Sequence, residues 1–155
     1  MRIRPITVGD VAVVAPLKAA VHALHVAAEP AVFKPMTLEA IAGWLRDRVT
    51  EPETFGLIAE DHEGPRGYLV GARREQGETS FSHRRAWLEI DEIEVEPRWR
   101  RTGVAAALLA EAGATARAWG LGELQLTTWA FNEPALAAFA KAGFAPMIGR
   151  YRRAP

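Results

Sequence analysis

Glu96-Pro97-Arg98-Trp99-Arg100-Arg101-Thr102-Gly103-Val104-Ala105 joins a strand to a helix through a basic loop, and the reading of the whole chain grows from it. Upstream, Ala86 to Val95 (AWLEIDEIEV) alternates apolar and acidic residues with the period of two that a strand requires, and Pro97 ends the run. Downstream, Val104, Leu108, Leu109, Ala112, Ala116 and Trp119 recur at helical spacing, with Gly120 as the stop. A helix therefore begins near Gly103. The first turn of a helix leaves backbone N–H groups without partners and gathers about half a positive charge, so an anion is favoured at that end. Gly103 lets a phosphate approach the backbone, Ala105 is nearly as small, and Arg100 and Arg101 can add charge-assisted hydrogen bonds from the rim. The bland alternative is a plain crossover whose arginines are solvated.

Further along, Glu123 to Trp129 (ELQLTTW) reads as the next strand, Asn132-Glu133-Pro134-Ala135 opens another helix through Phe139, and Gly143-Phe144 closes it. Upstream of the acidic strand, Arg2 to Ile6 is a first strand. Asp10 caps a helix running to about Ala28, and Thr37 caps a second over Leu38 to Val49. Thr54 to Glu60 and Gly67 to Arg74 form a hairpin around the turn residues Gly64 and Pro65. A last strand is expected from Phe144 to about Arg152.

Taken together, these residues resemble the GNAT superfamily of N-acetyltransferases. Arg100-x-x-Gly103-x-Ala105, preceded by Ile93-x-Val95-x-Pro97, is similar to the family's acyl-CoA pyrophosphate signature, and Asn132, Ala135, Phe139, Gly143 and Phe144 match its second motif. The resemblance implies an α/β (α+β) fold. It would have a mixed, mostly antiparallel sheet of about six or seven strands and about four helices, splayed between strands four and five. Acetyl-CoA is implied in that gap, with its pantetheine along the backbone of Ile93, Glu94 and Val95. Its pyrophosphate would lie on Arg100, Arg101, Thr102, Gly103, Val104, Ala105 and Ala106, with Asn132 and Phe139 also near the cofactor.

The chemistry expected is direct acetyl transfer to an amine. An alkyl ammonium has a pKa near 10.4, so neutralising it at pH 7 costs roughly 4.6 kcal/mol, and a base must take the proton. Glu92 is the first candidate and Asp91 the second. Alternate residues of a strand face opposite ways, so both can line one cleft only across a bulge, which the family has. A backbone N–H near Val95 would stabilise the developing oxyanion. The family's tyrosine that protonates the departing thiolate is replaced here by Phe139, which has no proton to give. Tyr151, or alternatively Tyr68, is the candidate substitute, and water is the fallback.

Composition sets outer bounds. The 155 residues, 49% apolar, read as one domain spanning 1–155. Absence of cysteine excludes disulfides, thiolate metal sites and a covalent acyl-enzyme on sulfur. No metal is expected, because His22 and His25 share a helical face without further ligands. Net charge is zero, which argues against nucleic acid. Charge is nonetheless uneven, with eleven acidic and five basic residues from Glu51 to Val95, then four acidic and eight basic from Glu96 to Pro155. The acidic half suits a cationic acceptor and the basic half an anionic cofactor. No apolar run approaches the roughly 20 residues of a membrane span and the N-terminus lacks the pattern of a signal peptide, so a cytoplasmic protein without a membrane partner is expected.

The acceptor is expected to be a small-molecule or peptide amine, its specificity shaped by His22, His25 and Phe33 unless these only pack. A homodimer through the last strands is compatible with Arg150 to Arg153. Trp44, Trp87, Trp119 and Trp129 read as core, Trp99 as a cover for the cofactor or an anchor for its turn, and Arg73, Arg74, Arg84 and Arg85 as a solvated face. Two other classes stay open: a CoA-binding sensor without catalysis, motivated by Phe139, and a nucleotide-binding crossover.

Overall fold

In a computed structural model that describes residues 1–155, strand β1 (Arg2–Pro5) is followed by a short 3-10 turn (Val8–Asp10) and helices α1 (Val11–Ala28) and α2 (Leu38–Thr50). Strands β2 (Thr54–Asp61), β3 (Gly64–Gln76) and β4 (Arg85–Val95) come next, then α3 (Val104–Ala118), β5 (Leu124–Leu126) and α4 (Glu133–Lys141). One sheet runs in the order β1-β2-β3-β4-β5, antiparallel except for the parallel β4–β5 pair.

The period of two in the strands sorts the core into two layers. Leu57, Ala59, Leu69, Leu88 and Ile90 face α3, where Val104, Leu108, Leu109, Ala112 and Ala116 meet them at helical spacing. Ile58, Tyr68 and Val70 point the other way, into Val11, Val14 and Ala15 of α1 and Ile41 and Leu45 of α2. Thr37 caps α2 as expected, accepting from the Ala40 N–H at 3.1 Å.

β5 pairs only with Leu88, Glu89 and Ile90, so the second half of β4, Asp91 to Val95, has no strand on that flank. This is the splay. At the same point the β3–β4 register slips, Val70 opposing Glu92 and Gly71 opposing Ile90, which leaves Asp91 as an extra bulged residue.

Three expectations are corrected. The sheet has five strands, and the run from Phe144 to Arg152 is not one of them: beyond the Phe144 N–H, bonded to the Phe139 carbonyl at 3.0 Å, the segment lies outside every helix and strand. Alternation in a sequence reports a strand's faces but not its neighbour, and no chain lies on the outer flank of β5. Ile148 and Tyr151, 84% and 94% exposed, are left in solvent. Finally, Val8–Ala28 spans 21 residues and contains an 18-residue window of mean hydropathy 1.6, long and apolar enough by length and composition to cross a membrane. Lys18, His22 and His25 interrupt the run without lowering its mean below that threshold. Here Val11, Val14 and Ala15 are buried against the sheet, while Val8, Val13 and Leu24 stay exposed.

Candidate active site

The bulge decides which carboxylates share a face. Without it Asp91 and Glu92 would point to opposite sides of the sheet; with it Asp91, Glu92 and Glu94 all turn toward the α1/α2 layer. Glu92 lies across from Val70 and Glu94 across from Tyr68, both members of that layer's core.

Each carboxylate there is engaged differently. Asp91 accepts from Arg48 of α2 at 3.2 Å and from Arg74 of β3 at 3.1 Å. Arg74 is exposed, as the sequence suggested, and still reaches Asp91 from that surface. Glu92 receives the Lys18 ammonium on Oε1 and the Tyr68 hydroxyl on Oε2, the latter at 2.8 Å. Glu94 accepts from Arg100 at 2.9 Å. Burial pushes the Glu94 carboxyl above the usual range, although Arg100 opposes the rise. Tyr68, 1% exposed, is held well above an ordinary phenol, first by burial and then by the charge of Glu92, so it is protonated at neutral pH.

Lys18 is the residue that sequence reasoning missed. Its side chain is buried, and its Nζ lies over the Trp44 ring, 3.9 Å from the centroid. The signal was available, since Lys18 is the only Lys, Arg, Asp or Glu in α1. A solitary charge on a buried stripe needs a partner. Trp44, read as core, supplies the other wall of that seat.

On the far side of the gap, α3 starts without a side-chain cap, whereas α2 and α4 are capped by Thr37 and Asn132. Gly103 precedes it at φ 92°, and a Cβ placed there would meet no atom within 4 Å. The N–H groups that open α3, around Val104, Ala105 and Ala106, thus face open space beside Arg101. A pyrophosphate fits this set of donors. Arg100 is tied to Glu94 and to the Val95 carbonyl, the latter at 3.2 Å. Thr102 bonds back to the Trp99 carbonyl at 2.6 Å. Trp99 packs on the α3-side core beneath Arg66, 3.7 Å from its ring centroid, which makes it an anchor of the turn.

Asn132 caps α4, its Oδ1 accepting from the Ala135 N–H at 3.4 Å. Phe139 packs edge-on against Phe144, 6.0 Å between centroids, beside the same core. Tyr151 lies in the exposed C-terminal segment and makes no hydrogen bond, whereas Tyr68 stands on the first-choice base. His22 and His25 bond to the backbone carbonyls of Lys34 and Val21, and no cluster of potential metal ligands is present.

A family model described as the acetyltransferase (GNAT) family matches residues 18–144. Among solved structures, a tetramutant of the BH1408 protein from Bacillus halodurans is similar at 20% identity and TM-score 0.94, with all of both chains covered. An aminoglycoside antibiotic 6'-N-acetyltransferase from Acinetobacter haemolyticus is similar at 16% identity and TM-score 0.78, over 100% of this chain and 98% of that one. A predicted acetyltransferase solved with acetyl-CoA, from Clostridium acetobutylicum, follows at 14% identity and TM-score 0.70, over 99% and 95%. These identities carry the fold and no more. Comparison with curated protein sequences gives no match.

Proposed function

Since the chain belongs to the acetyltransferase (GNAT) family, we propose that it moves the acetyl group of acetyl-CoA directly onto a primary amine within a ternary complex. The observation that carries this reading is the open flank of β4 over Asp91 to Val95, with a carboxylate cluster on its α1/α2 side and the uncapped start of α3 beyond it.

Bound acetyl-CoA supplies an activated acyl group: the N–C bond forms as the C–S bond breaks, and the net reaction of an ammonium releases one proton to solvent. The chain's own residues do the rest. Gly103, Val104, Ala105 and Ala106 present the N–H groups, and Arg101 the charge, that hold the diphosphate. Ile93, Glu94 and Val95 offer backbone groups on the flank that β3 does not use. Glu92 takes the ammonium proton. Its two oxygens have about four acceptor positions, of which Lys18 and Tyr68 occupy two, so there is room for one further N–H donor. Asp91 is the weaker candidate because two guanidinium groups hold it. With Phe139 apolar, the departing thiolate is protonated by water, or by Tyr68 acting from Glu92, and Tyr151 would need a rearranged C-terminal segment to serve.

The test is release of free CoA from acetyl-CoA across a broad amine panel, together with calorimetric binding of CoA. Turnover with at least one amine is expected, and Gly103→Trp should abolish CoA binding by filling the diphosphate cradle. Saturable CoA binding with no turnover on any amine would favour a non-catalytic CoA sensor.

A further inference from the structure

Where α1 meets α2, a cleft of about 540 Å3 is formed by His22, Ala40 and the connection from Val32 to Thr37. Lys18 and Trp44 touch across the two helices, and His22 and Ala40, each one helical turn further along, line the cleft. It therefore opens about one helical turn beyond the Lys18–Trp44 contact, and Lys18 in turn bonds Glu92. No acidic residue lines it, and its single ionic side chain is Lys34.

One wall belongs to a closed ring of four aromatic side chains. His25 and Phe33 lie 5.2 Å apart, Phe33 and Trp129 5.3 Å, Trp129 and Phe131 5.9 Å, and Phe131 and His25 5.6 Å. Phe33 belongs to both ring and cleft. Through this cluster the α1–α2 connection touches the segment that follows β5.

Charge accounting points the same way. Every carboxylate that the bulge turns toward α1 and α2 already holds a basic side chain: Arg48 and Arg74 on Asp91, Lys18 on Glu92, Arg100 on Glu94. The Trp44 face, the other seat for a cation, holds Lys18. Glu89 is unpaired by a basic residue, but it lies where β5 still pairs with β4, outside the gap.

Resting on the transferase reading above, we propose that the acceptor is a monoamine with an aromatic or apolar body. The amine meets Glu92, the body lies in the cleft against Phe33, and polycationic amines are refused because no free carboxylate is left for a second positive charge. Lys34 strengthens the refusal.

The experiment compares phenethylamine with spermidine and kanamycin, by calorimetric binding to the CoA-saturated protein and by kcat/KM with acetyl-CoA. Phenethylamine is expected to bind at least tenfold more tightly and to be turned over at least tenfold more efficiently. Phe33→Ala should weaken its binding about tenfold without altering CoA affinity. Lys34→Glu, a change at an exposed side chain, should improve spermidine binding at least fivefold. Preferential binding or turnover of spermidine or kanamycin would overturn the proposal, as would absence of phenethylamine binding. Selective phenethylamine binding with no turnover of any amine would sustain the acceptor class while removing the transferase reading.

Discussion

The pair formed by Lys18 and Glu92 sets the behaviour of the site at the level of single residues. Lys18 is 8% exposed, so removing its carboxylate leaves an ammonium with only the Trp44 face and a neutral amide. Glu92→Gln is expected to lose about 1 to 3 kcal/mol of stability, below the full cost of an orphaned buried charge because the amide oxygen still accepts. Replacing both partners, with Lys18→Met, should recover part of that loss. A denaturant double-mutant cycle measures the coupling, and additive losses would mean the pair contributes nothing. The same Glu92→Gln variant should lower turnover most at low pH, where the acceptor is fully protonated, with CoA affinity nearly unchanged. The sequence made the carboxylates visible as candidates. It did not make their partners visible, because Arg48, Arg74 and Lys18 come from three elements, and only the folded register brings them to residues 91 and 92.

Among the elements, β4 and α3 carry the site, and each depends on a glycine outside the acidic strand. Gly71 lies opposite Ile90 beside the bulge, and a Cβ there would come within 2.4 Å of the Glu89 carbonyl oxygen and 2.7 Å of the Phe55 ring. A backbone oxygen cannot step aside, so Gly71→Ala is expected to cost about 3 kcal/mol and to lower turnover by shifting Asp91 and Glu92. Thermal melts and kinetics check both effects, and unchanged values would show that the bulge does not need this contact. Gly103 is different. Nothing crowds its missing side chain, so Gly103→Ala pays only for φ 92°, about 1 to 2 kcal/mol. Boundaries of α2, β2 and α3 were legible from caps and periodicity, whereas Asp10, expected to cap α1, precedes it without capping because Arg4 and Thr7 hold its carboxylate. The β5 strand was not: Glu123 to Trp129 reads as a seven-residue strand, yet only Leu124 to Leu126 find a partner before the chain leaves for the aromatic cluster.

For the whole molecule, β1 is fastened to the body through Arg4, which bonds Asp10 at 2.7 and 2.8 Å and Glu60 at 2.6 and 2.9 Å. Arg4 holds both carboxyls below their usual range. A carboxyl depressed in the folded state stabilises the protein above its unfolded pKa and loses that contribution as pH falls. This contribution is thus complete above about pH 4.5, the ordinary glutamate value, and fades below it. Arg4→Gln should cost about 1 kcal/mol at pH 7, discounted for solvent screening, and should flatten the fall in Tm between pH 4.5 and 3. An unchanged acid profile would relocate the sensitivity elsewhere. The overall architecture was readable because two motifs fixed the order of the second half, whereas the fate of Phe144 to Pro155 depends on a neighbour that no pattern within the segment specifies.

On the acetyl-CoA reading proposed above, the uncapped start of α3 links folding to the supply of the cofactor. A ligand that closes this turn at a hundredfold its Kd adds about 2.7 kcal/mol to the native state, a large share of the margin on which a small domain survives proteolysis. The half-life of the chain under a protease should therefore lengthen with CoA concentration and lose that dependence in Gly103→Trp, so that a cell short of CoA would hold less of the protein as well as less of its substrate.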